Sequence, residues 1–249
     1  MIILKTPEQI EGIRESCRIV AFVLSEIEKL VKPGVTTAGL NTISEHLTRE
    51  QGGVPGFKGY RGFPFSICAS VNEQIVHGFP NDTPLKEGDI LSVDFGVLKN
   101  GWYGDSALTM PVGQISDEAT ELLRVTKNSL HKALDIAQPY KKIGDLSWTI
   151  QRYVEKNNFS VIRDFVGHGI GKELHEDPQI PNYGKAGDGM MLKAGMVIAI
   201  EPMVSIGTYE TETLSDGWTT ITRDKSLSAH FEHTLAITEN GPEILTSRD

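Results

Sequence analysis

Apolar residues recur every three or four positions near the start of the chain. Ile10, Ile13, Cys17, Val20, Leu24, Ile27 and Val31 fall on one side of a helical wheel, which predicts an amphipathic helix. Thr6 offers an N-cap oxygen, Pro7 suits the first helical position because it has no N–H to satisfy, and Gln9 completes a capping box. Pro33-Gly34 ends this helix. A second, shorter helix is expected from about Thr37 to Glu50, stopped by Gly52-Gly53. Ser116 or Asp117 opens a long helical stretch that Pro139 closes, and Asp145 to Asn157 reads as a fourth helix.

Shorter apolar runs between the helices read as strands: Ser66 to Val71, Ile90 to Val97, Trp102 to Pro111, Val197 to Ile200 and His230 to Thr238. Asn100-Gly101, at the junction of two of them, predicts a tight antiparallel hairpin. Interspersed helices with such a hairpin argue for a mixed α+β sheet rather than a doubly wound parallel one. Leu85-Lys86-Glu87-Gly88, an apolar run and Asp94 align without gaps to Leu192-Lys193-Ala194-Gly195, an apolar run and Glu201. Two readings stand: a common turn before two buried strands, or a duplicated half-domain in which each half delivers a carboxylate to one site. With no linker or low-complexity segment, residues 1–249 read as a single domain.

Composition narrows the class. Of the 249 residues, 39% are hydrophobic and 23% charged, as in soluble globular proteins. No apolar run nears the roughly 20 residues that cross a bilayer, and the N-terminus turns charged after four residues, too soon for a secretion signal. Cys17 and Cys68 give no disulfide framework, which suits a reducing cytoplasm. A net charge of −9 without dense Lys/Arg runs disfavours nucleic acid as the main partner.

Chemistry enters through the hairpin. A two-residue turn at Asn100-Gly101 sets Lys99 opposite Trp102, Asp94 opposite Ala107 and Asp105 opposite Gly96. Both aspartates then share a face as diagonal neighbours, roughly 7–8 Å apart at Cα. In an apolar setting such a pair must take up a proton or hold a cation; otherwise Asp105 lies at a solvated hairpin end. Glu201 continues an apolar run, costly to ionise without compensation, or caps the strand as it meets water. On the expected strand, His230, Glu232 and Thr234 share one face. In Gly167-His168-Gly169-Ile170-Gly171-Lys172-Glu173-Leu174-His175, Lys172 breaks a dinucleotide-binding glycine pattern, and Gln179 replaces the second histidine of a zinc-protease helix. His168 between glycines fits either a turn or a ligand.

Taken in order, Asp94, Asp105 eleven residues on, His168 in GHGIG, Glu201 in IEPM and Glu232 in FEHT resemble the five-ligand set of methionine aminopeptidases. The resemblance runs from KTPEQIEGIRESCRIVA through SICASVNEQIVHGFP to SLSAHFEHTLAIT, nearest to the short bacterial type I enzymes. It implies the pita-bread fold: an α+β, mostly antiparallel sheet, helices outside, two pseudo-twofold halves. It also implies two divalent ions (Co, Mn, Fe or Zn), bridged by Asp105 and Glu232, with Asp94 chelating one and His168 and Glu201 completing the other. Four carboxylates balance two such ions in charge. By the same resemblance Glu201 accepts a proton from water, while His77 and His175 contact substrate and stabilise the oxyanion. A methionine pocket is expected from Tyr60, Phe63, Cys68, Trp218 and His77, edged by Phe57 and Leu174. The substrates implied are N-terminal methionyl peptides and nascent chains with a small second residue, met by a cytoplasmic monomer in transient contact with the ribosome. Three features depart from relatives: Leu174 where an aromatic is common, the acidic stretch Tyr209 to Asp216 where some carry lysines, and Pro139-Tyr140 for Pro-Gly. The rivals are a prolidase-like dipeptidase, which usually carries a further N-terminal domain, and a partner-binding relative lacking the ligands.

Overall fold

The capping signals form as the sequence dictates. In the computed structural model, which describes residues 2–248, the Thr6 hydroxyl accepts the Gln9 N–H and the Gln9 side chain accepts the Thr6 N–H. This box heads helix α1 (Pro7–Leu30), whose buried Ile13, Cys17, Val20, Leu24 and Ile27 pack on the hairpin strands Ile90–Lys99 and Trp102–Pro111. Helix α2 (Thr37–Glu50) lies against α1. Ser116 caps α3 (Asp117–Ile136) through the Ala119 N–H. Helix α4 (Ile143–Lys156) starts two residues earlier than the sequence suggests. Asp145 is its third residue, and its carboxylate reaches back to the Lys142 N–H at 2.8 Å.

The hairpin register is the expected one, from Lys99 opposite Trp102 to Ile90 opposite Pro111, with Asp94 facing Ala107 and Asp105 facing Gly96. Asn100 and Gly101 take φ of 51° and 80°, as a turn matched to strand twist requires. Cys68–Val71 and Val54–Pro55 flank Ile90–Lys99 to complete a four-stranded sheet. The expected strand from Ser66 begins only at Cys68. A five-stranded sheet runs Gly241–Ile244, His233–Thr238, Val197–Ile200, Gly167–Gly169, Glu176–Ile180. Two three-stranded sheets complete the set, one from Ser228–His230, Met203–Ser205 and Ser160–Val161, the other from Thr211–Thr213, Thr220–Thr222 and Gln74–Val76.

One expectation is corrected. His230 to Thr238 is not a continuous strand: it breaks at Phe231-Glu232, between Ser228–His230 and His233–Thr238. Its neighbour breaks at the same level, at Glu201-Pro202, between Val197–Ile200 and Met203–Ser205. Pro202 has no N–H to give to a ladder, and each chain changes sheet at this point. Glu232 therefore does not share a strand face with His230 and Thr234 as the sequence pattern suggested. Its N–H instead bonds the Ala107 carbonyl at 2.9 Å.

The internal echo is a duplication of structure. Thr36 bridges Pro84 in one half and Lys142 bridges Met191 in the other, in each case joining a helix N-cap to the residue before the repeated Leu-Lys turn. Leu85 N–H bonds Val35 O while Leu192 N–H bonds Lys141 O, and Gly34 N–H bonds Leu85 O while Tyr140 N–H bonds Leu192 O. Gly34 and Tyr140 hold equivalent positions, both left-handed, with φ of 89° and 74°. Glycine adopts that conformation freely, whereas tyrosine is strained there by about 1–2 kcal/mol.

The Tyr140 side chain is 83% exposed, so replacing it loses almost no packing. Relief of strain, offset by about 0.5–1 kcal/mol for the looser unfolded chain, leaves Tyr140→Gly more stable by about 0.5–1 kcal/mol. Thermal unfolding should then shift upward by about 1–4 °C; an unchanged or lower midpoint contradicts the strain at this turn.

Candidate metal centre and substrate cavity

Five side chains from separate segments of both halves line one cavity of about 200 Å³. Asp94 comes from the first hairpin strand and Asp105 from the second. His168 comes from Gly167–Gly169, and Glu201 and Glu232 from the two strand breaks. Ligand atoms of Asp105, His168 and Glu232 lie within 4.8 Å of one another. His168 Nε2 stands 3.9 Å from Asp105 Oδ2 and 3.6 Å from Glu201 Oε1. The glycines beside His168 serve strand packing. A Cβ on Gly167 would lie 2.3 Å from the Ala199 carbonyl oxygen, and one on Gly169 would lie 2.2 Å from that of Asp177. Neighbouring strands thus close directly over the histidine backbone.

Burial dominates the electrostatics. It pushes Asp94 up to about 7, and raises Asp105, Glu201 and Glu232 well above ordinary carboxylates, with their mutual negative charges adding to the effect. Burial pushes His168 down to about 4, so its imidazole is neutral. Nδ1 lies 2.9 Å from the Gly169 carbonyl oxygen, which can only accept; Nδ1 therefore carries the proton and Nε2 turns a lone pair to the acids. Asp94 Oδ1, Asp105 Oδ1 and Glu232 Oε1 are buried without any hydrogen-bond partner. Orphaned oxygens beside an imidazole lone pair are what a divalent cation satisfies, so the residues present fit metal binding.

Backbone ties fix the cluster. The Thr234 hydroxyl donates to the Asp105 carbonyl at 2.7 Å, and the Ser106 hydroxyl donates to that of Glu232 at 2.6 Å. Asn182 holds the Glu201 carbonyl at 3.0 Å. Behind Glu201 lies buried His230, its Nε2 3.7 Å from Glu201 Oε2. Sequence alone does not single this residue out, because a histidine inside an apolar strand signals nothing by itself.

The remaining walls are aromatic. Tyr60, Phe63, Cys68, Trp218, His77, Phe57 and Leu174 all line the cavity. Phe63 meets Trp218 edge-on at 5.2 Å between ring centres, and His77 meets Trp218 at 6.0 Å. Asp216, in the acidic stretch, accepts the Trp218 and Thr219 N–H groups at 2.8 Å and so shapes the turn that presents Trp218. His175, exposed at the mouth, places Nδ1 2.9 Å from the Tyr60 hydroxyl, and its ring centre lies 4.3 Å from that of His168. Arg61, Val76, Phe165 and Val166 also line the cavity and were missed by sequence reasoning. Of these, Phe165 was findable, as an aromatic three residues before the glycine-flanked histidine; it stacks edge-on against His77.

Known proteins resemble this chain over nearly its whole length. Methionine aminopeptidase 1 of Bacillus subtilis is 53% identical over 99% of both chains, and a methionine aminopeptidase of Clostridium perfringens is 51% identical over 99% of both. The crystal structure of methionine aminopeptidase from Thermotoga maritima matches with a TM-score of 0.98 at 49% identity, covering 99% of this chain and 100% of that one. The fold is therefore the pita-bread arrangement that the sequence resemblance implied. The model for metallopeptidase family M24 matches residues 11–239, and the chain belongs to that family.

Proposed function

We propose that this chain hydrolyses the first peptide bond of proteins that begin with methionine, when the second residue is small. The observation that carries the reading is the cavity itself: buried Asp105 and Glu232, half-buried Asp94 and Glu201 and a neutral histidine among its lining, together with a wall of Tyr60, Phe63, Cys68 and Trp218. Full-length relatives named methionine aminopeptidase support it. Asp94, Asp105, His168, Glu201 and Glu232 would hold two divalent ions of the Co, Mn, Fe or Zn kind, within a single domain. When bound, such ions polarise a carbonyl and lower the pKa of water.

The chain's own residues do the rest. Glu201 faces the cluster and accepts the proton of the attacking water, then returns it to the leaving amine. His77, held neutral by burial, and His175, at the cavity mouth, donate hydrogen bonds to the oxygen that becomes negative. The aromatic ring takes an unbranched thioether and leaves little room beside His77 and His175 for a bulky second residue. The setting is the cytoplasm, on nascent chains; among the described residues no helix is long and apolar enough to cross a membrane.

Burying a methionine side chain contributes roughly 1.5–3 kcal/mol, a 10- to 150-fold preference over alanine at the first position. Values of kcat/KM for Met-Ala-Ser, Ala-Ala-Ser, Met-Leu-Ser and acetyl-Met-Ala-Ser read this directly. Met-Ala-Ser should lead, and acetylation should block cleavage. Equal cleavage of the first two peptides, or preference for proline at the second position, points to another peptidase.

Glu201→Gln removes the proton acceptor and should slow kcat by about 10²-fold or more. Asp105→Asn takes a charge from the cluster and should lower both bound metal and turnover. Wild-type kcat in the first variant removes Glu201 as base; full metal content and turnover in the second remove Asp105 as ligand.

A further inference from the structure

An enclosed ion pair outside the cavity joins the first residues of the chain to the loop that bears His175. Lys5 is pinned by its backbone, its N–H donating to the Gly195 carbonyl at 2.7 Å. Its side chain, only 3% exposed, passes under the loop after His168, where Cε lies 2.8 Å from the place a Cβ on Gly171 would occupy. Lys5 Nζ donates to Glu176 Oε2 at 2.5 Å, and the Glu176 side chain is 9% exposed. Glu176 Oε1 accepts the Lys172 N–H at 2.8 Å and the Glu173 N–H at 3.3 Å. One carboxylate thus gathers three donors and closes the turn between Gly171 and Glu176. Leu174 and His175, which line the cavity, stand on that turn.

A buried carboxylate keeps such a set of bonds only while its charge is compensated, and Lys5 is the cation in contact with it. Without Lys5, Glu176 would rotate toward water. That change loosens its hold on Lys172 and Glu173, and the turn loses the restraint that sets the His175 ring against the Tyr60 hydroxyl. We infer that Lys5 and Glu176 are positioning residues for the proposed reaction, fixing His175 at the cavity mouth from a point 170 residues away in sequence. Neither touches the cavity; they act only through the turn. The inference rests on the role given to His175 above.

The test is a double-mutant cycle on Met-Ala-Ser cleavage by the metal-loaded enzyme, with Lys5→Met, His175→Ala and both together. A misplaced catalytic group costs rate more than affinity, so Lys5→Met should lower kcat about tenfold while KM moves less than about threefold. In the His175→Ala background the same substitution should change kcat less than about twofold, because the group it positions is gone. Lys5→Arg, which keeps the cation, should recover most of the rate. Should Lys5→Met fail to fold, Glu176→Gln is carried through the same cycle, since it keeps an oxygen for the two N–H groups and loses only the charge. An equal loss of kcat with and without His175, or wild-type kcat in the Lys5 and Glu176 variants, overturns the inference and leaves the proposed function standing. Absence of wild-type cleavage would instead remove the function itself.

Discussion

Four carboxylates that face one another in a buried cavity cannot all ionise unless cations lie between them. Asp94, Asp105, Glu201 and Glu232 are in that situation: burial lifts every one, and repulsion from neighbouring acids lifts Asp105, Glu201 and Glu232 further. Much of the surrounding structure arranges this meeting. The hairpin register puts Asp94 and Asp105 on one face. Two neighbouring strands break together at Glu201-Pro202 and Phe231-Glu232, which turns two more acids toward the same point. Protein hydrogen bonds tie down the backbone carbonyls of Asp105, Glu201 and Glu232, yet one side-chain oxygen each of Asp94, Asp105 and Glu232 is left without a partner.

Duplication explains how two halves reach one centre. The equivalent turns at Leu85 and Leu192 each launch a strand from an anchored helix cap, and each strand carries an acid at the same step, Asp94 or Glu201. The halves diverge immediately afterwards. The first strand continues through Phe95 to the Asn100-Gly101 turn, so its acid sits mid-strand. The second meets Pro202, stops, and passes into another sheet. The aromatic wall comes from other segments: Tyr60 and Phe63 lie between the cap and the Leu85 turn of the first half, and Trp218 lies beyond Glu201.

Local rules made much of this legible in the sequence. The Thr6 capping box, the helical spacing from Ile10 to Ile27 and the hairpin register follow from short-range chemistry, and the structure reproduces them. The five clustered residues were readable as a set only through their resemblance to a family. Taken singly, an acid after an apolar run or a histidine between glycines had an equally good bland reading. What was illegible depends on distant partners. The break at Phe231-Glu232 looks like strand because Phe231 and the residues after it are apolar or alternating. Pro202 on the neighbouring segment accepts the Phe231 N–H at 3.3 Å but has no N–H to return, so the ladder lapses there. His230 beside Glu201, Arg61 at the rim and Lys5 beneath the His175 turn are likewise set by tertiary contacts that no local pattern announces.

Completion of the carboxylate cluster by cations can be read from thermal unfolding of metal-stripped protein during titration with a divalent ion. Ions that bind only the folded chain stabilise it by about 2.7 kcal/mol at a hundredfold excess over Kd. For a chain of this size that raises the midpoint by roughly 5–11 °C. Such a rise is expected, saturating at two ions per chain. Binding without stabilisation, or a stripped protein whose midpoint no divalent ion moves, would contradict it.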